Sequence, residues 1–175
     1  MADKNKITGD VARKYLATAV KLPEEENYVV LGYRIQDSSI EFNPDVGKGT
    51  DINGIGFSTL KKMELEQTFD SAPMTKDLAV KAVKLQDYLL ELTRKQEYDK
   101  FTQFEVVLIY GWIGEVGSYS ADLHTACSVI PQNIGGDSLV NMSYNISFGG
   151  DVKRGTASGL LGEIKFTETP EGWLN

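Results

Sequence analysis

His124 and Cys127 are the first residues to examine for chemistry, because a thiol paired with an imidazole is an activated nucleophile. They are the only histidine and the only cysteine of the chain. The residues around them alternate as a strand, and strand positions three apart point to opposite faces. The pair is therefore expected not to meet, and Cys127 reads as a buried structural thiol. One His and one Cys do not make a zinc site. Gly47-Lys48-Gly49-Thr50 has the flavour of a phosphate loop, but glycine stands where a hydroxyl residue must follow the lysine, and no helix pattern begins there. Asp51, Asn53 and Gly54 echo a calcium loop that lacks its third acidic position and its closing glutamate. Glu64 and Glu66 share one strand face, whereas glycosidase carboxylates oppose each other across a cleft. A small hydrolase using Glu64 or Glu66 is a possible function class, with no substrate indicated. The expectation is a protein with no catalytic residues, no metal and no cofactor.

The elements that carry these residues are mostly strands. The most telling is Leu139–Phe148, where Val140, Met142, Tyr144, Ile146 and Phe148 alternate with Asn141, Ser143, Asn145 and Ser147. One face must cover a core. The other is a wall of small neutral polar groups with no long charged side chain. Residues 13–22 alternate as a strand, although their alanines also permit a helix, and Pro23 ends the element. Residues 28–42 read as one bent strand or two short ones. Residues 59–70 form a strand with Met63, Leu65 and Phe69 on one face and Lys62, Glu64, Glu66, Thr68 and Asp70 on the other. Residues 103–112 are apolar on both faces, as in a central buried strand. Residues 119–130 and 139–149 add further strands, and a last one lies around 162–167.

Residues 75–96 are the one helix expected, with Leu78, Ala82, Leu85, Leu89 and Leu92 as its buried stripe and Ser71 or Thr75 as its cap. Residues 43–58 hold Pro44 and the glycines at 47, 49, 54 and 56, which reads as a long inter-strand loop. Loops of that length in a compact domain are usually functional. The pattern is that of a single α+β domain over 1–175, mostly antiparallel and sandwich- or barrel-like, with one flanking helix, a polar arm at 1–12 and a tail at 159–175.

Composition narrows the partners. The chain has 175 residues, 41% hydrophobic and 25% charged, with net charge −7. That sign argues against a protein that grips nucleic acid through phosphates, yet suits a conduit that DNA must pass without sticking. No apolar run approaches the ~20 residues of a membrane span. The polar start, MADKNKITGD, lacks the apolar core of a signal peptide. A lone cysteine fits a reducing compartment.

The order of parts resembles the tail tube, or major tail, protein family of long-tailed bacteriophages and phage-tail-like bacteriocins. The stretches that carry the resemblance are NPDVGKGTDINGIG, KKMELEQTF with TFDSAP leading to the helix AVKLQDYLLELTRK, FEVVLIY, SADLHTACSVI and LVNMSYNISFGGDVKRGT. It covers roughly residues 10–158. The resemblance implies two packed antiparallel sheets with one helix, six copies closing a ring, and rings stacking into a virion tail tube through which DNA passes without specific binding. It implies as partners further copies of itself, a tail initiator or baseplate protein, a tail terminator and a tape measure protein, with synthesis in the host bacterial cytoplasm. Glu64, Glu66, Asn141, Ser143, Asn145 and Ser147 are the expected lumen wall. The 43–58 loop is expected to stack on the next ring through Ile52, Ile55 and Phe57, rimmed by Asp45, Lys48 and Asp51. A virion decoration module or a glycan-binding sandwich is the competing reading.

Overall fold

The computed structural model describes residues 9–35, 38–76 and 81–169. Its strands are β1 Leu16–Lys21, β2 Tyr28–Val30, β3 Ile40–Thr50, β4 Gly56–Pro73, β5 Phe104–Glu115, β6 Ser118–Gly135, β7 Asn141–Ser147, β8 Val152–Ala157, β9 Glu163–Ile164 and β10 Phe166–Glu168. The α-helix α1 spans Lys84–Lys95. Every strand pairing is antiparallel. The expected α+β class, mostly antiparallel with one helix, is what is observed.

β5 is the centre of a first sheet, between β1 and β6. It is apolar on both faces because each face meets a separate core. Val107 and Ile109 point into a small core with Ala17, Ala19, Val30, Ala121, Leu123 and Ile164. Phe104 and Val106 point into the main core with Val20, Leu22, Phe69, Tyr144 and the helix leucines. The run 163–168 is shared between the two margins of this sheet, since β9 pairs with β2 and β10 pairs with β8. It curls the sheet round the small core, as in a small barrel.

The second sheet has the order β3-β4-β7-β6. β6 belongs to both sheets: residues 119–124 pair with β8, whereas 128–135 pair with β7. At the crossing, Thr125 and Ala126 together oppose Glu105 alone, between the pairs Val106↔His124 and Phe104↔Cys127. Such a bulge bends a strand and raises its twist. The Thr125 and Ala126 amides donate to the Asp151 and Gly149 carbonyls, both at 3.2 Å, so neither is stranded by the bulge.

The expectations for 28–42 and for the helix are narrowed by the structure. Residues 28–42 are two strands, not one bent one. The helix is shorter than 75–96, because a 3-10 turn at Lys81–Val83 precedes it. Ser71 lies in β4, and residues 77–80 after Thr75, Leu78 among them, lie outside the described residues. The last strand expected around 162–167 is present as two short pieces, β9 and β10, which complete the first sheet. Residues 1–8 and 170–175 lie outside the described residues.

The largest correction concerns 43–58, which is a hairpin and not a loop. β3 and β4 pair from Ile40↔Gln67 out to Thr50↔Gly56. Glycine usually weakens a strand, but here the opposite strand covers it. The Phe57 ring lies over Gly49, where an added Cβ would sit 2.6 Å from the ring, and the Lys61 stem lies over Gly47. Pro44 is tolerated because β3 is an edge strand. At the tip, Asp51 Oδ1 accepts from the Asn53 and Ile55 amides, both at 2.9 Å. Gly54 takes the positive φ of 79° that the turn requires.

Helix α1 packs on the main core through Leu85, Leu89 and Leu92, which are fully buried. Their spacing of four and three places them on one face. Gln96 ends the helix in the left-handed region, its amide bonding back to the Leu92 and Thr93 carbonyls. Leu85→Ala or Leu89→Ala is expected to destabilise the subunit by about 2–5 kcal/mol. Chemical denaturation of the variants checks this, and unchanged midpoints would show that the stripe is not core.

Candidate functional site: a polar sheet face and its projecting ribbon

Cross-strand partners in a sheet share a face. Glu66 is partnered with Ser147, and Ser147 with Ser128; Thr68 is partnered with Asn145, and Asn145 with the exposed Ile130; Pro73 is partnered with Asn141. Ser143 is partnered with Asn133, and Glu64 lies two residues from Glu66 on the same strand. The structure therefore brings Glu64, Glu66, Asn141, Ser143, Asn145 and Ser147 onto one face of the second sheet. The opposite face holds Phe69, Met142, Tyr144 and Ile146 in the main core, where the Phe69 and Tyr144 rings stack at 5.0 Å. Burial pushes the Tyr144 hydroxyl pKa well above its usual range. Of the six polar residues, Ser143 is the one that is buried. Glu41 lies opposite Glu66 on the same face, and Lys62, which shares it, is ion-paired with Glu64.

Beyond Glu66 the β3–β4 hairpin leaves the sheet as a two-stranded ribbon. Its polar side continues the face just described. Its other side continues the core-facing side, with Phe42, Pro44, Val46, Leu60 and Met63 partnered across the ribbon. Phe42 is 61% exposed, and Val46, Leu60 and Met63 are also exposed. Met63 thus has the side expected of it but lies past the core it was expected to cover. Sequence reading missed this apolar stripe. The signal is the alternation of Phe42, Pro44 and Val46, which runs from the expected strand 28–42 into the expected loop 43–58.

The loop candidates fall on this ribbon. Ile52 is fully exposed at the apex, with Ile55 and Phe57 exposed beside it. Asp45 is partnered with Lys62 and Lys48 with Ser58 on the ribbon's sides, and Asp51 holds the turn. They do not converge on one point.

The His124–Cys127 pair has a different geometry from the one expected. The bulge at 125–126 adds a residue, so both side chains lie on the same face, opposite Val106 and Phe104. Still, no dyad forms. The Cys127 thiol lies 3.7 Å from the His124 carbonyl, and the His124 ring packs edge-on against Phe148 at 5.0 Å. Burial raises the Cys127 thiol pKa to about 11, so it is not a ready nucleophile. Nearby, Tyr110 donates to Asp122 Oδ2 at 3.1 Å. Among the described residues no group of three His, Cys, Asp or Glu side chains could hold a metal ion, and no helix is long and apolar enough to cross a membrane.

No family model matches the chain, and no curated protein matches it. Among the solved structures similar to it are two from a phage-tail-like particle. One is the anti-feeding prophage cap, described as a tube-terminating cap, at 11% identity and a TM-score of 0.49, with 86% of this chain and 94% of that chain covered. The other is from the anti-feeding prophage baseplate, at 11% identity and a TM-score of 0.46, with 85% and 97% covered. Neither likeness assigns this chain a function.

Burial lowers the His124 pKa from its ordinary 6.5, against an opposing effect of Asp122. The unfolded chain therefore takes up a proton that the folded chain resists. This penalty is absent above the ordinary value and grows as pH falls below it. The melting temperature is expected to drop between about pH 7 and about pH 5, and His124→Gln is expected to flatten that slope. Thermal melts across this range check it; an unchanged slope would place the proton uptake elsewhere.

Proposed function

We propose that this chain is a non-enzymatic structural subunit of a phage tail or phage-tail-like particle, assembling as rings of six that stack into the tail tube. The observation that carries this reading is the polar face of the second sheet, gathered from three strands over a closed apolar core. As a lumen wall, its Asn and Ser groups hold water and offer no cation to DNA phosphates. Glu41, Glu64 and Glu66 add the sign that repels them.

Closure of the ring has a backbone basis. Among the described residues, the outer margins of β3 and of β6 beyond Ser128 pair with no strand. Exposed edges template pairing with another chain. Joining the β3 margin of one copy to the β6 margin of the next extends the sheet without a break, and a ring of six leaves no edge. The β3–β4 ribbon then serves as the stacking arm, since an apolar stripe of this extent is rare on a monomer. The tail initiator or baseplate, the terminator and the tape measure protein are the expected partners, and DNA is a passenger.

Electron microscopy of the concentrated protein, alone and with its initiator, tests the reading. Rings or tubes of uniform width are expected, and particles that stay monomeric under both conditions would reject it. Glu64→Lys and Glu66→Lys are expected to leave tubes intact while reducing the fraction of particles that deliver DNA, measured against tube count; unchanged delivery would remove these residues from the lumen. Replacing residues 46–55 by a short Gly-Ser turn is expected to leave a folded subunit that fails to elongate. Normal tubes from that variant would make the ribbon a passive feature.

A further inference from the structure

Ile52 is an unusual choice for the apex of a turn. Turn positions favour Gly, Asn, Asp and Ser, and Asp51, Asn53 and Gly54 supply them here, yet the residue between is a fully exposed isoleucine. The apex is also preorganised. The Asp51 carboxylate grips two amides, and the Asp51 amide and carbonyl bond Ile55 and Gly54, both at 3.0 Å. A rigid tip presenting one apolar side chain loses little entropy on docking.

At the other end of the ribbon the subunit carries a cavity of about 710 Å³ between β1, β2 and the segment 160–163. Leu16, Val29, Ile35, Leu160 and Leu161 make it mainly apolar. Three cations and one carboxylate line it, and of these Lys81 is ion-paired with Glu163, which leaves Arg13 and Lys14. Arg13 donates to the backbone carbonyls of Leu16 and Ser38, and Lys14 lies over the Tyr15 ring at 5.2 Å. Neither is in an ion pair among the described residues. No residue of the ribbon beyond Ile40 and short of Gln67 lines this cavity, so the tip does not fill it within its own chain.

We propose that this cavity receives Ile52 of a second copy, with Asp51 of that copy against Arg13 and Lys14. The proposal rests on the reading of the chain as a stacking subunit and names where the arm lands. Residues 56–65 extend past the pairing of β4 with β7, on the order of 30 Å at ~3.3 Å per residue. The cavity lies beside Gln67 and Phe69, at the ribbon's base. A copy displaced along the ribbon by its own length brings its base, and so its cavity, to the first copy's tip. Tip and cavity are different surfaces, so the contact is head-to-tail and repeats without closing.

The test uses single-cysteine additions to the full chain, with native Cys127 buried. Ile52→Cys and Leu161→Cys chains are mixed under mild oxidation at a concentration where the unmodified chain assembles. Disulfide-linked dimers that vanish with reductant are expected. Val116→Cys, which places the thiol on an exposed turn, is expected to give none in place of Leu161→Cys. Ile52→Asp is expected to cut stacked assembly roughly tenfold or more, because it offers a carboxylate to an apolar site, while circular dichroism stays native. Assembly of the unmodified chain without a link between 52 and 161, or normal stacking of Ile52→Asp, overturns the cavity assignment and leaves the tube reading standing. No assembly of the unmodified chain under any condition overturns both.

Discussion

Everything in this subunit hangs on β6 serving two sheets. Its first part runs beside β5 and β8, and its second beside β7. Backbone amides and carbonyls must find partners on both sides of that change. The pair of residues at 125–126 allows the turn, and the 149–151 segment takes up their amides. Without the bulge, Cys127 and Val129 would leave the main core and exposed neighbours would enter it, because a one-residue slip reverses every side chain beyond it.

The two cores differ in what they can tolerate. The small one holds four alanines, Ala17, Ala19, Ala121 and Ala157, among Tyr28, Val30, Val107, Ile109, Leu123 and Ile164, and the alanines let strands curl closely round it. The main one is filled by Phe69, Tyr144, Phe104 and the leucines of α1. The large aromatic groups sit where the second sheet must stand away from the first and the helix must close the gap. Side-chain size therefore sets the spacing of the layers, and the polar face of β4, β6 and β7 is held by what lies behind it.

Much of this was legible in the residues. Strict alternation at 140–148, a doubly apolar run at 104–109 and the Leu85, Leu89, Leu92 spacing each have one physical reading, and each strand or helix is present. The alternation at 64–66 and 141–147 separates polar from apolar within each strand, but the face they share depends on the Glu66↔Ser147 register, which no single segment encodes. Two features were hidden. Gly47 and Gly49 signal a loop when considered alone, and only the partner side chains Lys61 and Phe57 make them strand residues. The bulge at 125–126 has no compositional mark, since Thr and Ala fit any strand, so the relation of His124 to Cys127 was read with the wrong parity.

The run 163–168 has a consequence for how the chain acquires its shape. β9 must meet β2, and β10 must meet β8, so the small core joins residues near both ends of the described chain. Contacts of such separation form only after a long loop has been closed, and they slow folding. During synthesis β2 and β8 wait with bare margins until this last strand emerges. Until then the nascent subunit exposes the kind of edge that invites pairing with a neighbour. Pairing of the 163–168 segment therefore withdraws the β2 and β8 edges from such contact.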